Sequence, residues 1–243
     1  MAFRKSGSKR SMRRRPFSTR RRKGPTVKTV NRKVKVLQKR IELKWADVYY
    51  NQELNNSASG TMVQLLNGLL AGTTANQRIG NEVHWTSLQF RGTITMDSLR
   101  KAASNVRLII FWDRQANQAA PQTLSTAISK GLLEDTTVTD LFLSPFSYPT
   151  QDRYRVLYDK RWVLNPQLQL TEASGSVTVN QPYTVSFKKK IQLNRSTKYD
   201  ANNDVTVAGI MTNSLYALFY ADSAAVSDEP TMKCGFRLYF KDA

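Results

Sequence analysis

The residues best suited to bind a ligand are the Lys and Arg side chains of the first forty positions, which hold seventeen bases and no Asp or Glu. They are densest at Arg13–Arg15 and Arg20–Lys23. The planar guanidinium of arginine makes bidentate contacts with phosphate oxygens, and Phe3 and Phe17 offer rings on which unpaired bases can stack. The chemistry indicated is binding of a polyanion, and nucleic acid is the commonest one.

We predict that the bases of this segment contact nucleic acid without reading its sequence. The predicted contact residues are Arg4, Lys5, Lys9, Arg10, Arg13, Arg14, Arg15, Arg20, Arg21, Arg22, Lys23, Lys28, Arg32, Lys33 and Lys35. A nuclear-import signal is compatible with this function, and its residues would be Arg13, Arg14, Arg15, Arg20, Arg21, Arg22 and Lys23. A solvated tail without a partner is the remaining interpretation.

The charge is divided unequally along the chain. The formal net charge is +19, yet residues 41–243 hold twenty bases against eighteen acids, a net charge of only +2. This split predicts a basic arm, residues 1–40, and a folded domain, residues 41–243. We expect the arm to be disordered, because its positive charges repel one another and it has few apolar residues to bury. The valines of Gly24–Arg40 leave an ordered segment, a strand extension and a plain linker as alternatives.

The residues that catalysis or metal binding would need are scarce. His84 is the only histidine and Cys234 the only cysteine, which excludes an internal disulfide and a Cys-based zinc site. No phosphate-binding GxxxxGK[ST] motif is present. His84 and Cys234 share strand parity with apolar side chains, so we predict that both have structural roles. We therefore predict no enzyme activity and no cofactor. Calcium bound between subunits stays open for the loop acids Asp135, Asp140, Asp200 and Asp204, although solvated acids are the simpler interpretation.

Neither a membrane span nor a signal peptide is expected. No apolar run approaches the ~20 residues that cross a bilayer, and residues 1–23 are basic and rich in serine. We therefore expect synthesis in the reducing cytosol.

The folded domain has the apolar alternation of β-strands. In the last strand Met232, Cys234, Phe236, Leu238 and Phe240 share one face. Two segments, Val106–Trp112 (apart from Arg107) and Leu215–Tyr220, are apolar on both faces and should be central strands. Eight strands and scarce helical periodicity, best at Thr123–Leu133, predict an all-β sandwich or barrel with a long insertion at 114–152.

Several side chains receive individual predictions from strand parity. Apolar Leu43 and Trp45 are expected on the core face of the first strand, with Lys44 on the polar face. In the strand 154–164, one face should carry Tyr154, Val156, Tyr158, Trp162 and Leu164.

The other tryptophans and a lysine triplet are interpreted in the same way. Trp112 should be buried, and Trp85, on the polar parity, is the best candidate for a subunit contact. Lys188 and Lys190 should face outward, toward nucleic acid, a neighbouring subunit or solvent. Lys189 interrupts the apolar face, so it should snorkel, pair with an acid or mark a bulge.

Four segments together resemble the coat proteins of small circular single-stranded DNA viruses that encode a replication initiator, in particular those like the satellite tobacco necrosis virus coat. They are GTMVQLLNGLL (60–70), NQRIGNEVHWTSLQFRG (76–92), VRLIIFWDRQANQAAP (106–121) and YRVLYDKRWVLN (154–165). The order of these segments, preceded by the basic arm, carries the resemblance. It covers about the N-terminal two thirds of the chain, and the 114–152 connection has no counterpart in the pattern.

The resemblance implies a single eight-stranded jelly roll that assembles into an icosahedral T=1 shell of about 60 copies. The implied strands are 41–51, 61–67, 82–96, 104–113, 154–164, 183–194, 213–221 and 231–241. It further implies a packaged single-stranded genome, DNA rather than RNA, a location in the virion and, during assembly, in the host nucleus, and contact with nuclear import receptors. The alternative function is a cellular or viral nucleic-acid-binding β protein, of nuclear-shuttle or ribosomal type, that forms no particles.

Overall fold

The computed structural model describes residues 27–40, 42–54, 63–98, 100, 102–116, 118–121, 131–134, 143–171, 176–181, 183–201, 204–222 and 229–242. The chain divides into two units between Arg40 and Ile41, and each is described by itself.

The described part of the first unit, residues 27–40, is a single helix, α1, at Val27–Arg40. Pro25 precedes the helix, and no Gly or Pro interrupts it, so no residue inside it lacks the backbone N–H that the helical hydrogen bonds need. Of the alternatives for residues 24–40, a strand extension is therefore wrong over 27–40, an ordered segment agrees with the helix, and residues 24–26 lie outside the described residues. The valines favour a strand by propensity, but they lie among Lys, Arg, Gln and Leu, which are good helix formers.

The second unit is built almost entirely of strands. Their bounds are β1 Lys44–Glu53, β2 Val63–Leu65, β3 Glu82–Thr95, β4 Ser104–Asp113, β5 Tyr154–Leu164, β6 Gln167–Thr171, β7 Ser176–Gln181, β8 Thr184–Tyr199, β9 Ile210–Thr212, β10 Ser214–Ala221 and β11 Thr231–Asp242. Short 3₁₀ turns occupy Tyr148–Thr150 and Val207–Gly209. Within the described residues, no helix is both long enough and apolar enough to cross a bilayer.

Two antiparallel sheets form a sandwich. One has the order β1-β11-β3-β8-β9 and the other β2-β10-β4-β5. Without β9, these are two four-stranded sheets in which the first strand lies beside the last and the second beside the next to last, as in a jelly roll. The predicted all-β jelly roll is confirmed. The eight predicted strands correspond to β1–β5, β8, β10 and β11, while the β6–β7 hairpin and β9 are additions.

Aromatic side chains join the two sheets in the core. Tyr50 of β1 stacks on Phe219 of β10 with ring centroids 4.1 Å apart. Phe90 of β3 meets Tyr158 of β5 edge to face at 5.2 Å. Cross-sheet contacts of this kind add about 0.5–1.5 kcal/mol each beyond the area they bury. The predicted inner face of β11 is confirmed, since its five apolar residues are all buried.

A β-bulge at Thr86 reverses the predicted parity at the start of β3. The pairing of β3 with both neighbours shifts between Trp85 and Ser87, and in β8 the shift includes Asn194 in the left-handed region (φ 44°), which asparagine tolerates. Trp85 is fully buried as a result, and its indole N–H donates to the Thr197 hydroxyl at 2.9 Å. The predicted subunit contact through Trp85 is therefore wrong.

The parity of β1 is also opposite to the prediction. Lys44 is buried, whereas Leu43 and Trp45 are 48% and 43% exposed. The inward residues of this strand are Lys44, Ala46 and Tyr50, and the Lys44 ammonium is neutralised by Asp242 at 2.8 Å. A buried ammonium with a carboxylate partner overrides the local apolar pattern.

The insertion between β4 and β5 covers the outer face of the second sheet. The register of β5 shifts between Ile110 and Phe111, so Tyr154 and Val156 point outward while Tyr158 points into the sandwich, which corrects the single predicted face. Leu132 and Phe146 pack over these outward side chains. This cover explains why both faces of β4 and β10 are buried, as predicted. Of the predicted helix at 123–133, residues 131–133 are non-helical and the rest lie outside the described residues.

Candidate nucleic-acid interface

Most of the predicted nucleic-acid contacts lie outside the described residues. This applies to the eleven bases from Arg4 to Lys23, which include the whole predicted nuclear-import signal. Lys28, Arg32, Lys33 and Lys35 lie in α1, and the first three are exposed.

Helix α1 concentrates positive charge on a short rod. It contains six bases and no acid, and each turn of an α-helix rises about 5.4 Å. Lys39 and Arg40 stand at the C-terminal end, where the helix dipole favours cations, whereas Lys28 stands at the unfavourable N-terminal end. A bound polyanion would relieve the mutual repulsion of these charges.

The folded domain has a second concentration of positive charge, on the outward side of the first sheet. Three consecutive cross-strand rows define it, and we call this surface the basic face. The rows are Asp47–Arg237–Gln89–Lys190, Tyr49–Gly235–Arg91–Lys188 and Asn51–Lys233–Thr93–Ser186. They contain five bases and one acid, although the domain as a whole is nearly neutral.

The single acid of the basic face is already paired. Arg237 donates two hydrogen bonds to the Asp47 carboxylate, both of 2.7 Å, and these bonds raise the pKa of the guanidinium above its usual value. The other four bases, Arg91, Lys188, Lys190 and Lys233, are exposed. The Lys190 ammonium lies 5.9 Å from the ring centre of Tyr239 on the same side of the sheet.

The middle row forms a shallow depression. Gly235 has no side chain, and the Tyr49 ring lies over it, since a Cβ built on Gly235 would stand 3.4 Å from Tyr49 Cε1. The depression is lined by Tyr49, Gly235, Arg91, Gln89 and the Asp47–Arg237 pair. Tyr49 is 77% exposed, so one face of its ring is open to a planar ligand.

The lysine triplet in β8, Lys188–Lys190, can be compared with its predicted orientations. Lys188 and Lys190 face outward, as predicted. Lys189 pairs in regular register with buried Phe90 and is nevertheless exposed. It therefore snorkels at the edge of the sandwich, and the bulge lies at Thr86 instead.

The remaining predicted site residues have structural positions. The Nδ1 atom of His84 lies 3.3 Å from the Ser196 hydroxyl, and the bulge turns the ring away from the core face on which parity placed it. Cys234 is buried, which raises the pKa of its thiol to about 12 and keeps it protonated and unreactive. Trp112 is buried, as predicted, and Trp162 packs on Phe187 with ring centroids 5.1 Å apart.

Of the four loop acids, the two within the described residues each accept local hydrogen bonds. Asp204 caps the turn that follows it, and hydrogen bonds from the Thr206 backbone and hydroxyl lower the pKa of its carboxyl. Asp200 accepts from the backbone of Ala201, while Asp135 and Asp140 lie outside the described residues. Among the described residues, no group of three or more His, Cys, Asp or Glu side chains is arranged to hold a metal ion.

Comparisons with known proteins give little beyond the geometry. No protein-family model matches the sequence, and no curated protein matches it. Among solved structures, the chain is similar to one titled "Crystal structure of 60-mer BFDV Capsid Protein", with 10% identity over 84% of this chain and 93% of that chain and a TM-score of 0.33. The assignment of the fold therefore rests on the strand order observed in this chain.

Most residues of the basic face were not predicted as functional from the sequence. For Lys188 and Lys190, contact with nucleic acid was one of three interpretations. No binding role was predicted for Tyr49, Arg91, Lys233 or Gly235. The alternation of β11 carried part of the signal, because Lys233 and Arg237 share its polar face. Only strand pairing brings β1, β11, β3 and β8 side by side.

Proposed function

We propose that this protein is a viral capsid protein that encloses a single-stranded genome. The observation that carries the proposal is a jelly-roll sandwich attached to a segment with seventeen bases and no acid. Jelly rolls also occur in lectins and cupins, but neither of those functions calls for a polycationic segment. A shell that holds a polyanion does call for one.

In this proposal the sandwich tiles the shell and the arm neutralises the genome. About 60 copies in a T=1 shell would bring about 1,000 arm charges inside, enough to offset much of the phosphate charge of a short genome. The sequence resemblance supports DNA rather than RNA. The virion and, during assembly, the host nucleus are the proposed locations, with Arg13–Arg15 and Arg20–Lys23 contacting import receptors. Loss of nuclear accumulation when these clusters are changed to alanine in a fluorescent fusion tests that step.

Electron microscopy of the purified full-length protein at physiological salt tests the shell. We expect closed, roughly spherical particles from which nucleic acid can be extracted. A single monomer peak in sedimentation, with and without added nucleic acid, would contradict the proposal.

The basic face favours a second candidate function, a nucleic-acid-binding β protein that forms no particles. Such a protein needs cations and aromatic rings on its folded surface, and Arg91, Lys188 and Tyr49 provide them. The same sedimentation experiment separates the two functions, because this candidate would give complexes of one or a few copies with nucleic acid rather than closed shells.

A further inference from the structure

We infer that the basic face is a second nucleic-acid-binding site, separate from the arm, and that it takes single-stranded nucleic acid with one unpaired base stacked on Tyr49. The inference rests on the proposed function and adds to it a specific site on the folded domain. Arg91 and Lys188, in the same cross-strand row as Tyr49, would contact two successive phosphates that follow that base along the strand.

The charges of the basic face favour an anionic occupant. Arg91 and Lys188 stand directly opposite each other on neighbouring strands, an arrangement of like charges that destabilises a sheet. The face has no acid to neutralise them, because Asp47 is engaged by Arg237 through two 2.7 Å hydrogen bonds. Phosphates bound to the guanidinium and to the ammonium would replace this repulsion with two charge-assisted contacts.

The ring of Tyr49 favours an unpaired base. It lies over Gly235 on one side and is 77% exposed, so it presents a rigid aromatic surface that no neighbour covers completely. Stacking on such a ring tolerates any base, because every base has a π-face. In a duplex the faces of the bases are stacked on one another, so the site should prefer single strands.

The distances within the row suit a base and the two phosphates that follow it. Neighbouring strands lie about 4.8 Å apart, which puts the backbone of Arg91 about 10 Å and that of Lys188 about 14 Å from that of Tyr49. Both side chains are long and exposed, and they can bridge these separations toward a strand that crosses the sheet. Lys190 and Lys233 in the flanking rows extend the cationic track.

Photocrosslinking of the full-length protein to a short single-stranded oligothymidine carrying 5-iodouracil tests the contact. We expect crosslinked peptides from the basic face, with Tyr49 as the modified residue, besides those from the arm. Tyr148 is the matched control, because it is also 77% exposed and lies elsewhere. Tyr49→Ala should abolish the crosslink and Tyr49→Trp should retain it, and a duplex of the same length should compete weakly. Crosslinks confined to residues 1–40, or equal at Tyr49 and Tyr148, would overturn the inference.

The salt dependence of binding tests the charges. Neutralising two phosphate contacts should reduce the slope of log K against log salt by about 1.4 for single strands, which we expect for the double variant Arg91→Gln/Lys188→Gln. The control Arg155→Gln/Lys160→Gln removes two exposed bases from β5 and should leave the slope unchanged. An unchanged slope in the first variant, or an equal reduction in both, would overturn the inference.

Failure of the inference and failure of the proposed function give different results. If the arm alone binds, the full-length protein still forms particles and binds the oligonucleotide with unchanged slope. If the proposed function fails and the inference holds, the protein forms no closed particles, but the crosslink at Tyr49 and the reduced slope of Arg91→Gln/Lys188→Gln are still observed. If a neighbouring subunit covers the basic face, Tyr49→Ala disrupts particles and no crosslink forms there, which also overturns the inference.

Discussion

Buried charged residues show how single side chains depart from simple strand patterns. The Lys44 ammonium meets the Asp242 carboxylate at 2.8 Å and donates to the Gln77 carbonyl at 3.0 Å. Removing one partner of such a pair typically costs about 3–5 kcal/mol, because the other charge stays buried. The partners come from the first strand, the last strand and the loop before β3, so only the folded chain brings them together.

Arg78, within the NQRIG segment, shows how a turn can be held by one side chain. It is buried, donates to the carbonyls of Leu69, Gly80 and Asp200, and lies over the Tyr199 ring at 4.8 Å. The five N–H groups of a guanidinium can satisfy several carbonyls at once. The arginine of this segment therefore has a structural role, which is to bind the backbone carbonyls around the turn.

Neighbouring residues of β11 provide a test of strand register. Phe236 is buried, with its ring centre 5.8 Å from that of Phe90 and 6.3 Å from that of Phe219. We predict that Phe236→Asp abolishes folding, because a buried, unpaired carboxylate costs several kcal/mol, about as much as the stability of a domain.

The control for this variant is Arg237→Asn. Arg237 is exposed and points away from the core, so its replacement should change the melting temperature little, and asparagine avoids placing a second carboxylate beside Asp47. Soluble yield and thermal melting of the two variants give the comparison. If Arg237→Asn unfolds the protein and Phe236→Asp does not, the register of β11 is wrong.

Among the elements, the insertion between β4 and β5 has the clearest structural role. Arg107, buried on the outer face of β4, binds Asp159 of β5 through two hydrogen bonds of 3.0 and 2.8 Å. It also donates to the Ser144 carbonyl at 2.8 Å and lies 5.4 Å from the Phe146 ring. One side chain thus connects the sheet to the segment that covers it.

We predict that Arg107→Met loosens this cover and leaves the sandwich folded. Methionine keeps the apolar bulk but cannot bind the Ser144 carbonyl or the Asp159 carboxylate. Amide hydrogen exchange should accelerate at residues 143–150, by about tenfold or more for a loss near 1.4 kcal/mol, and stay slow in β10 and β11. Arg155→Met, at an exposed position of β5, is the control and should change neither region. Equal exchange in the variant and the original protein would show that Arg107 does not hold the insertion.

At the scale of the whole molecule, charge is segregated twice. The arm carries most of the net charge, and within the nearly neutral domain the basic face holds five bases against one acid. Net charge per domain therefore does not describe what a surface can bind, because opposite charges on separate faces do not cancel at close range.

We predict that deleting residues 1–23 preserves the fold and greatly weakens nucleic-acid binding. The deletion removes eleven bases, and within the described residues the apolar core lies between Ala46 and Phe240. The slope of log K against log salt should fall by up to about 8 for single strands. Thermal melting should stay unchanged, and binding should show little sequence preference. Unchanged affinity after the deletion would place the binding site on α1 or the folded domain.

The sequence by itself predicted eight of the eleven strands in the described residues, their order along the chain and the division of charge. Alternation in β11 and the doubly apolar segments β4 and β10 depends only on which side chains must avoid water, and adjacent residues contain that information. The basic arm could also be recognised from adjacent residues, because its seventeen bases and lack of acids are visible without any knowledge of the fold. The jelly-roll order required the family resemblance as well, because pairing partners such as β1 and β11 are distant in the chain.

Only the tertiary structure decided which face several side chains occupy. The bulge at Thr86 buries Trp85, and the pairing of Lys44 with Asp242 inverts the start of β1. In both cases a partner far along the chain changes the free energy of burying a side chain on one face of its strand. Counting alternate residues along one strand does not include that partner. The basic face has the same origin, since Tyr49, Gly235, Arg91 and Lys188 come from four strands whose hydrogen bonding alone aligns them in one row.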